Sequence, residues 1–279
     1  KFWRIVAERY KDEPAVALFE LFNEPNLWRI RTGPDAGRRT MKPDKVAAIY
    51  RAAEPVIRAA NPGVMLAGPC CALIEQDYLE DFLAAGAPVD AVTIHSYTDD
   101  PDGDRFVELY RTARERIRRH KGRDLPLYNT EAYFGFRGSP FAYNDNEASR
   151  RYFRDSEWSH AAVSAAMVLD HAAAQVGWCD FGPQFSVFGL TETDQPYPDF
   201  SMAAINAAIE FACDAGPAED RVLAPCVTSL LFPGGRGGPF AVLRSRLKVP
   251  VEVSGLGGIR AFDLFGNPLA DADRRTLED

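Results

Sequence analysis

Val16-Ala17-Leu18-Phe19-Glu20-Leu21-Phe22-Asn23-Glu24-Pro25-Asn26 passes from a nearly continuous apolar run into a polar turn, with a carboxylate at the point of change. A strand that is apolar on both faces belongs to a parallel sheet covered by helices. In a barrel of such strands, reactive groups sit at the C-terminal strand ends. The strand is expected over residues 15 to 22, after a helix over residues 2 to 10.

The same alternation continues downstream. A helix over residues 44 to 60 has Val46, Ile49, Ala53 and Ile57 at three- and four-residue spacing, carries Pro55 as an expected kink, and stops at Asn61-Pro62-Gly63. Strands over residues 64–67, 91–97, 125–130 and 176–179 alternate with helices over 77–85, 105–120, a once-broken stretch over 147–175, and 201–212. Beyond Gly216, short runs at 240–243, 249–253 and 259–264 read as antiparallel strands.

This pattern predicts an α/β fold, a (β/α)8 TIM barrel. Residues 1–216 would supply its last five βα units, with strands one to three expected before Lys1, and residues 217–279 would form part of a small β-sandwich accessory domain. A complete barrel takes about 250 residues and eight strands. An open parallel edge leaves backbone groups unpaired, so the chain expressed alone is expected to aggregate or to lack activity.

Composition narrows the function classes. The 279 residues are 46% hydrophobic and 26% charged, which excludes a disordered or collagen-like chain. A net charge of −8 argues against a nucleic-acid partner, and the basic stretch from Arg114 to Arg123 suits the exposed end of a helix. Cys70, Cys71, Cys179, Cys213 and Cys226 show neither zinc spacing nor a disulfide framework and read as buried thiols. No apolar run reaches the ~18 residues of a membrane span. A cytoplasmic and a secreted location are both compatible with the sequence, and no motif fixes the oligomeric state.

The strand over residues 125–130 runs into Asn129-Thr130-Glu131, a second carboxylate at a strand end. Two such acids facing each other across a barrel mouth are what glycosidic cleavage needs: one protonates the leaving oxygen while the other attacks, or activates water, on the opposite face of the sugar. His95 and Tyr97, two apart on a strand, share a face. Glu20 has the same parity as Glu24, and its partner is expected on a strand preceding Lys1. The acidic loop Asp99, Asp100, Asp102 and Asp104 lacks the pattern of a calcium site.

Asn23-Glu24-Pro25, His95-Ser96-Tyr97 and Thr130-Glu131, in this order, resemble the clan A glycoside hydrolases over residues 1 to 216. The resemblance implies a retaining enzyme without a cofactor, acting on a carbohydrate, with Glu24 as general acid/base and Glu131 as nucleophile. It further implies that Tyr97 hydrogen-bonds Glu131, that His95 lines the glycone subsite and that Trp178 forms a platform under the sugar. Asn23 is expected to bond the sugar 2-hydroxyl, and the two carboxyl groups to lie about 5 to 5.5 Å apart. Glu24 is expected to begin protonated and Glu131 ionised. An Arg that clan members supply from strand two is expected before Lys1. The segment from Phe188 to Pro198 resembles the β-xylosidase and α-iduronidase family, and the tail from Phe262 to Pro268 is similar to the β-sandwich strands that follow such barrels. Two rivals are a catalytically inactive carbohydrate-binding barrel and a metal-assisted enzyme using Glu24, Glu131 and His95 as ligands.

Overall fold

A computed structural model of the chain describes residues 1–29, 34, 37, 41–98, 105–134, 157–177, 200–225, 227–245, 251–254, 260–269 and 274–277. They gather into two compact units, one made of Lys1–Ser96, Leu109–Ala132 and Val176–Asp180, the other of Tyr97–Glu108, Tyr133–Gln175 and Phe181–Asp279.

The sheet of the first unit is built from β1 (Leu18–Glu20), β2 (Met65–Cys71), β3 (Ala91–Thr98) and β4 (Leu127–Phe134), hydrogen-bonded in that order among the described residues. β1 pairs parallel with β2, and β2 with β3. The helices are α1 (Phe2–Arg9) ahead of β1, then α2 (Pro43–Ala60), α3 (Gln76–Ala84) and α4 (Phe106–Lys121) in the crossovers. Strands that are neighbours in both sequence and space, joined by helices, form a partial (β/α)8 barrel. The core between α1, α2 and the sheet is Ala7, Phe19, Ile57, Val64 and Leu66, with Trp3, Val6 and Val16 packed against it.

α2 starts at Pro43, whose missing N–H costs nothing in the first turn, and closes with Asn61 N–H on the Ile57 carbonyl. It runs through Pro55 and buries Val46, Ala47, Tyr50 and Ile57. Ile49, expected on the apolar face, is instead exposed, and Tyr50 takes the inward place. Its hydroxyl donates to the Ala67 carbonyl at 2.7 Å and accepts the Leu21 N–H at 3.3 Å. Burial pushes the phenol well above its ordinary range, so it stays neutral.

That bond explains why β1 is shorter than expected. The ladder holds from Ala17, whose carbonyl accepts Met65 N–H, to Glu20, after which the Leu21 N–H turns to Tyr50. β2 is longer than expected, because Gly68-Pro69 stays in the ladder opposite Val92 and Thr93 instead of ending it. The Gly68–Pro69 peptide is cis. Only glycine fits at 68, since a Cβ there would lie 2.1 Å from the Tyr50 hydroxyl oxygen. The register slips between Pro69 and Cys71, leaving Cys70 bulged with φ at 61°.

β4 continues to Phe134, four residues past the expected end, so Glu131 lies within the strand. Beside it, Gly177 forms a parallel bridge to Tyr128, where the fifth strand was expected. Val176 is buried but outside any strand, and residues 178 and 179 lie outside the described residues.

In the second unit, α5 (Glu157–Ala173) packs against α6 (Phe200–Ala212), both within expected helical stretches. β5 (Glu219–Ala224), β6 (Val227–Phe232) and β7 (Phe240–Ser245) form an antiparallel sheet in sequence order. β8 (Val251–Ser254) pairs antiparallel with β9 (Arg274–Leu277). Of the expected run over 259–264, the structure shows a single antiparallel bridge from Phe262 to Pro268. Phe232 stacks on Phe240 at 4.5 Å, and Phe211 meets Phe240 and Phe262. The buried Asp170 carboxylate receives Arg244 Nη1 at 2.7 Å. His171 beside it directs Nδ1 at the Met167 carbonyl, and burial pushes its pKa down to about 4. Among the described residues, no helix is long and apolar enough to cross a membrane.

Candidate active site

Glu24 follows β1 and is held in a conformation that L-residues rarely adopt, with φ 47° and ψ 51°. Its N–H donates to the Cys70 carbonyl at 3.0 Å and its carbonyl accepts Leu27 N–H at 2.9 Å. Pro25, with φ fixed by its ring, then opens a 3-10 turn over Pro25–Leu27. The next residue, Asn26, is fully buried and clamps the turn: Nδ2 donates to the Ala72 carbonyl and to Glu75 Oε2, and Oδ1 accepts Ala72 N–H at 3.0 Å. The strained backbone of Glu24 is therefore fixed to the segment after β2. Asn23 is exposed, and its carbonyl accepts the Trp28 indole N–H at 3.1 Å.

His95, on β3, is buried with 2% of its side chain exposed. Its Nδ1 lies 2.8 Å from Glu24 Oε1 and 3.7 Å from Glu131 Oε2. On the other side of the ring, Nε2 lies 3.0 Å from Cys70 Sγ. The bulge at Cys70 thus serves the site twice, through its carbonyl on Glu24 and its thiol on His95. Burial, reinforced by the nearby Glu20 carboxylate, pushes the Cys70 thiol well above its ordinary range, so it carries its proton.

Glu131 is set by a chain of polar contacts across the sheet. Its N–H points at Asn129 Oδ1 at 3.4 Å, the Asn129 amide donates to Ser96 Oγ at 2.9 Å, and Ser96 Oγ meets the Tyr110 hydroxyl at 2.8 Å. Asn129, Ser96 and Tyr110 are buried. Thr130 donates its hydroxyl to Glu20 Oε1 at 2.9 Å, so Glu20 finds a partner on β4 and not, as expected, on a strand preceding Lys1.

The structure therefore brings Glu24, His95 and Glu131 together, with one ligating atom of each within 4.8 Å of the others. Their side chains are 20%, 2% and 31% exposed, so the two acids face solvent over a buried imidazole. One carboxylate oxygen of Glu24 thus lies within 4.8 Å of one of Glu131. The same three atoms could also hold a cation at ~2 Å bonds after a modest contraction. Tyr97 lies on β3 and Trp178 follows Gly177, but the Tyr97 side chain and the whole of Trp178 lie outside the described residues, as does the acidic loop over 99–104. Cys70 was legible only as a buried thiol. The one signal toward its role was the Gly68-Pro69 pair before it, which marks irregular backbone.

Residues 1–165 match the family model described as Cellulase (glycosyl hydrolase family 5). In solved structures, the chain is similar to a family 39 glycoside hydrolase from Bacteroides cellulosilyticus WH2, at 18% identity and a TM-score of 0.66 over 98% of this chain and 58% of that one. It is also similar to a family 39 β-xylosidase from Caulobacter crescentus, at 20% identity and a TM-score of 0.52 over 83% of this chain and 52% of the other. A glucosidase from Croceicoccus marinus gives 17% identity and a TM-score of 0.51 over 82% of this chain and 52% of that one. The chain thus spans 52% to 58% of the length of these structures, which share its fold. No curated protein matches the chain by sequence.

Proposed function

The chain belongs to the cellulase family, glycosyl hydrolase family 5 of clan A, and from that membership we propose that it is a retaining glycoside hydrolase acting by double displacement on an oligo- or polysaccharide of plant or microbial origin. The observation that carries the reading is the approach of the Glu24 and Glu131 carboxylates over His95. Glu24, after β1, begins protonated and gives its proton to the leaving oxygen. Glu131, in β4, attacks the anomeric carbon and forms the glycosyl-enzyme intermediate. Glu24 then removes a proton from the incoming water, which releases the sugar with its configuration retained. Exposed Asn23 bonds the 2-hydroxyl, while His95 lines the glycone subsite. Tyr97 and Trp178 complete the sugar contacts. No cofactor takes part.

We read the four parallel strands of the first unit as part of a (β/α)8 barrel and the antiparallel sheets after residue 217 as part of a β-sandwich domain; their strand orders support this reading. The solved structures alike in fold include a β-xylosidase and a glucosidase, so nitrophenyl xylosides and glucosides head the substrate panel. Glu131→Gln should abolish hydrolysis, by at least about 10³-fold in kcat. Glu24→Gln should cost about 10²–10⁴-fold, more for poor leaving groups than for nitrophenol. Hydrolysis that survives Glu131→Gln, or that is lost on chelation, sinks this reading.

A further inference from the structure

We propose that Glu24, His95 and Glu131 form a binding site for a borderline-soft divalent cation, Zn²⁺, and that the seated ion shuts down turnover by taking both acids out of use. The effect on turnover rests on the hydrolase reading given above, whereas the binding rests on geometry and ligand chemistry alone.

Among the described residues, these three side chains converge with one ligating atom of each within 4.8 Å of the others. All three belong to the first unit. His95 Nδ1 lies 2.8 Å from Glu24 Oε1 and 3.7 Å from Glu131 Oε2. Tetrahedral bonds of about 2.0–2.2 Å set ligand atoms about 3.3–3.6 Å apart. The first pair must therefore open by about 0.6 Å, while the second is already close to that range. The imidazole, 2% exposed on β3, is the fixed member, and the two carboxylates, 20% and 31% exposed, stand at the solvent edge where they can turn to meet the ion.

Ligand chemistry selects the ion. Two carboxylates facing one ring favour a divalent cation, whose charge they balance. The nitrogen favours Zn²⁺ over Ca²⁺ and Mg²⁺, which take six or more ligands that are nearly all oxygen. Any hydrogen between Nδ1 and Glu24 leaves to solvent as the ion binds, so either tautomer of the ring reaches the same complex. Cys70 Sγ lies 3.0 Å from Nε2, the ring nitrogen that the ion does not use, in the place of the outer partner of a metal-bound imidazole. Three protein ligands leave the fourth position of Zn²⁺ to a water from the solvent side. With the ion bound, Glu24 has no proton to give and Glu131 turns its lone pair to the metal, so ion and substrate exclude each other.

The test uses the full chain, stripped of metal with a chelator, and ZnCl₂ as the probe. Calorimetric titration without substrate should show one Zn²⁺ per chain, with Ca²⁺ and Mg²⁺ at least about tenfold weaker. Co²⁺ in its place should give the visible spectrum of a four-coordinate ion without a sulfur charge-transfer band. His95→Ala and Glu131→Gln should each lower Zn²⁺ affinity at least about tenfold. Cys213→Ser, which removes a half-buried thiol of the second unit, should leave the affinity unchanged. Zn²⁺ should inhibit hydrolysis of nitrophenyl glycosides competitively, and excess chelator should restore the full rate. A wild-type chain that binds no Zn²⁺, or a Co²⁺ spectrum with a sulfur band, overturns the proposal whether or not the variants fold. Unchanged affinity in His95→Ala or Glu131→Gln overturns it too, as does lost affinity in Cys213→Ser. So does hydrolysis that rises with Zn²⁺ or ignores bound Zn²⁺. A chain that binds Zn²⁺ in this way yet hydrolyses no glycoside keeps the cation site and removes the hydrolase reading instead.

Discussion

Asn26 shows how much of the site depends on a buried side chain outside the Glu24, His95 and Glu131 cluster. Its amide satisfies both backbone groups of Ala72 and the Glu75 carboxylate from a fully buried position. Asn26→Ala removes this partner from the two backbone groups of Ala72, and an unsatisfied buried polar group costs about 1–3 kcal/mol each. Denaturant unfolding should register a loss of about 2–4 kcal/mol. Activity should fall further than stability explains, because the left-handed turn at Glu24 loses its anchor. That Glu24 and Glu131 would meet was legible in the sequence because each stands at or near the C-terminal part of a strand of one parallel sheet. The Glu20 pairing to Thr130 was not, since a cross-sheet contact depends on the stagger of strands that no local pattern encodes.

Among the elements, β2 departs most from its sequence pattern, and the departure has a local cause. Gly68-Pro69 reads as a stop, because proline gives the ladder no hydrogen and glycine no packing. What keeps the strand going is Tyr50, reaching over from α2 to bond the Ala67 carbonyl and occupying the space where a side chain at 68 would go. Gly68→Ala should therefore cost about 3 kcal/mol, the upper end for overpacking, in urea unfolding. Tyr50→Phe should cost about 1–2 kcal/mol, since the loss of the hydroxyl leaves the Leu21 N–H and Ala67 carbonyl without it. The alternation of helix and strand was readable throughout the first unit because it rests on periodicity. β5 escaped notice for the opposite reason: all six of its residues are exposed, so no apolar alternation marks it.

For the molecule as a whole, the second unit carries the clearest acid sensitivity. His171 titrates at about 4 when folded, against an ordinary value near 6.5. Below pH 6.5 the unfolded chain takes up a proton that the folded chain refuses, so stability falls as pH drops from about 6.5 to 4 and levels off below. The loss approaches about 3 kcal/mol. Thermal unfolding at pH 7 and pH 4.5 should show this difference, and a His171→Gln variant should show less of it.

The order of the parallel sheet carries a consequence for assembly. β1 leads to Glu24, β2 supplies Cys70, β3 His95 and β4 Glu131, one member from each successive strand. No hairpin or single crossover holds all four, so under the proposed hydrolase function turnover would report on four aligned strands at once. After dilution from denaturant, helical circular dichroism should return first and any catalysis last, with the interval between them timing the alignment of the four strands.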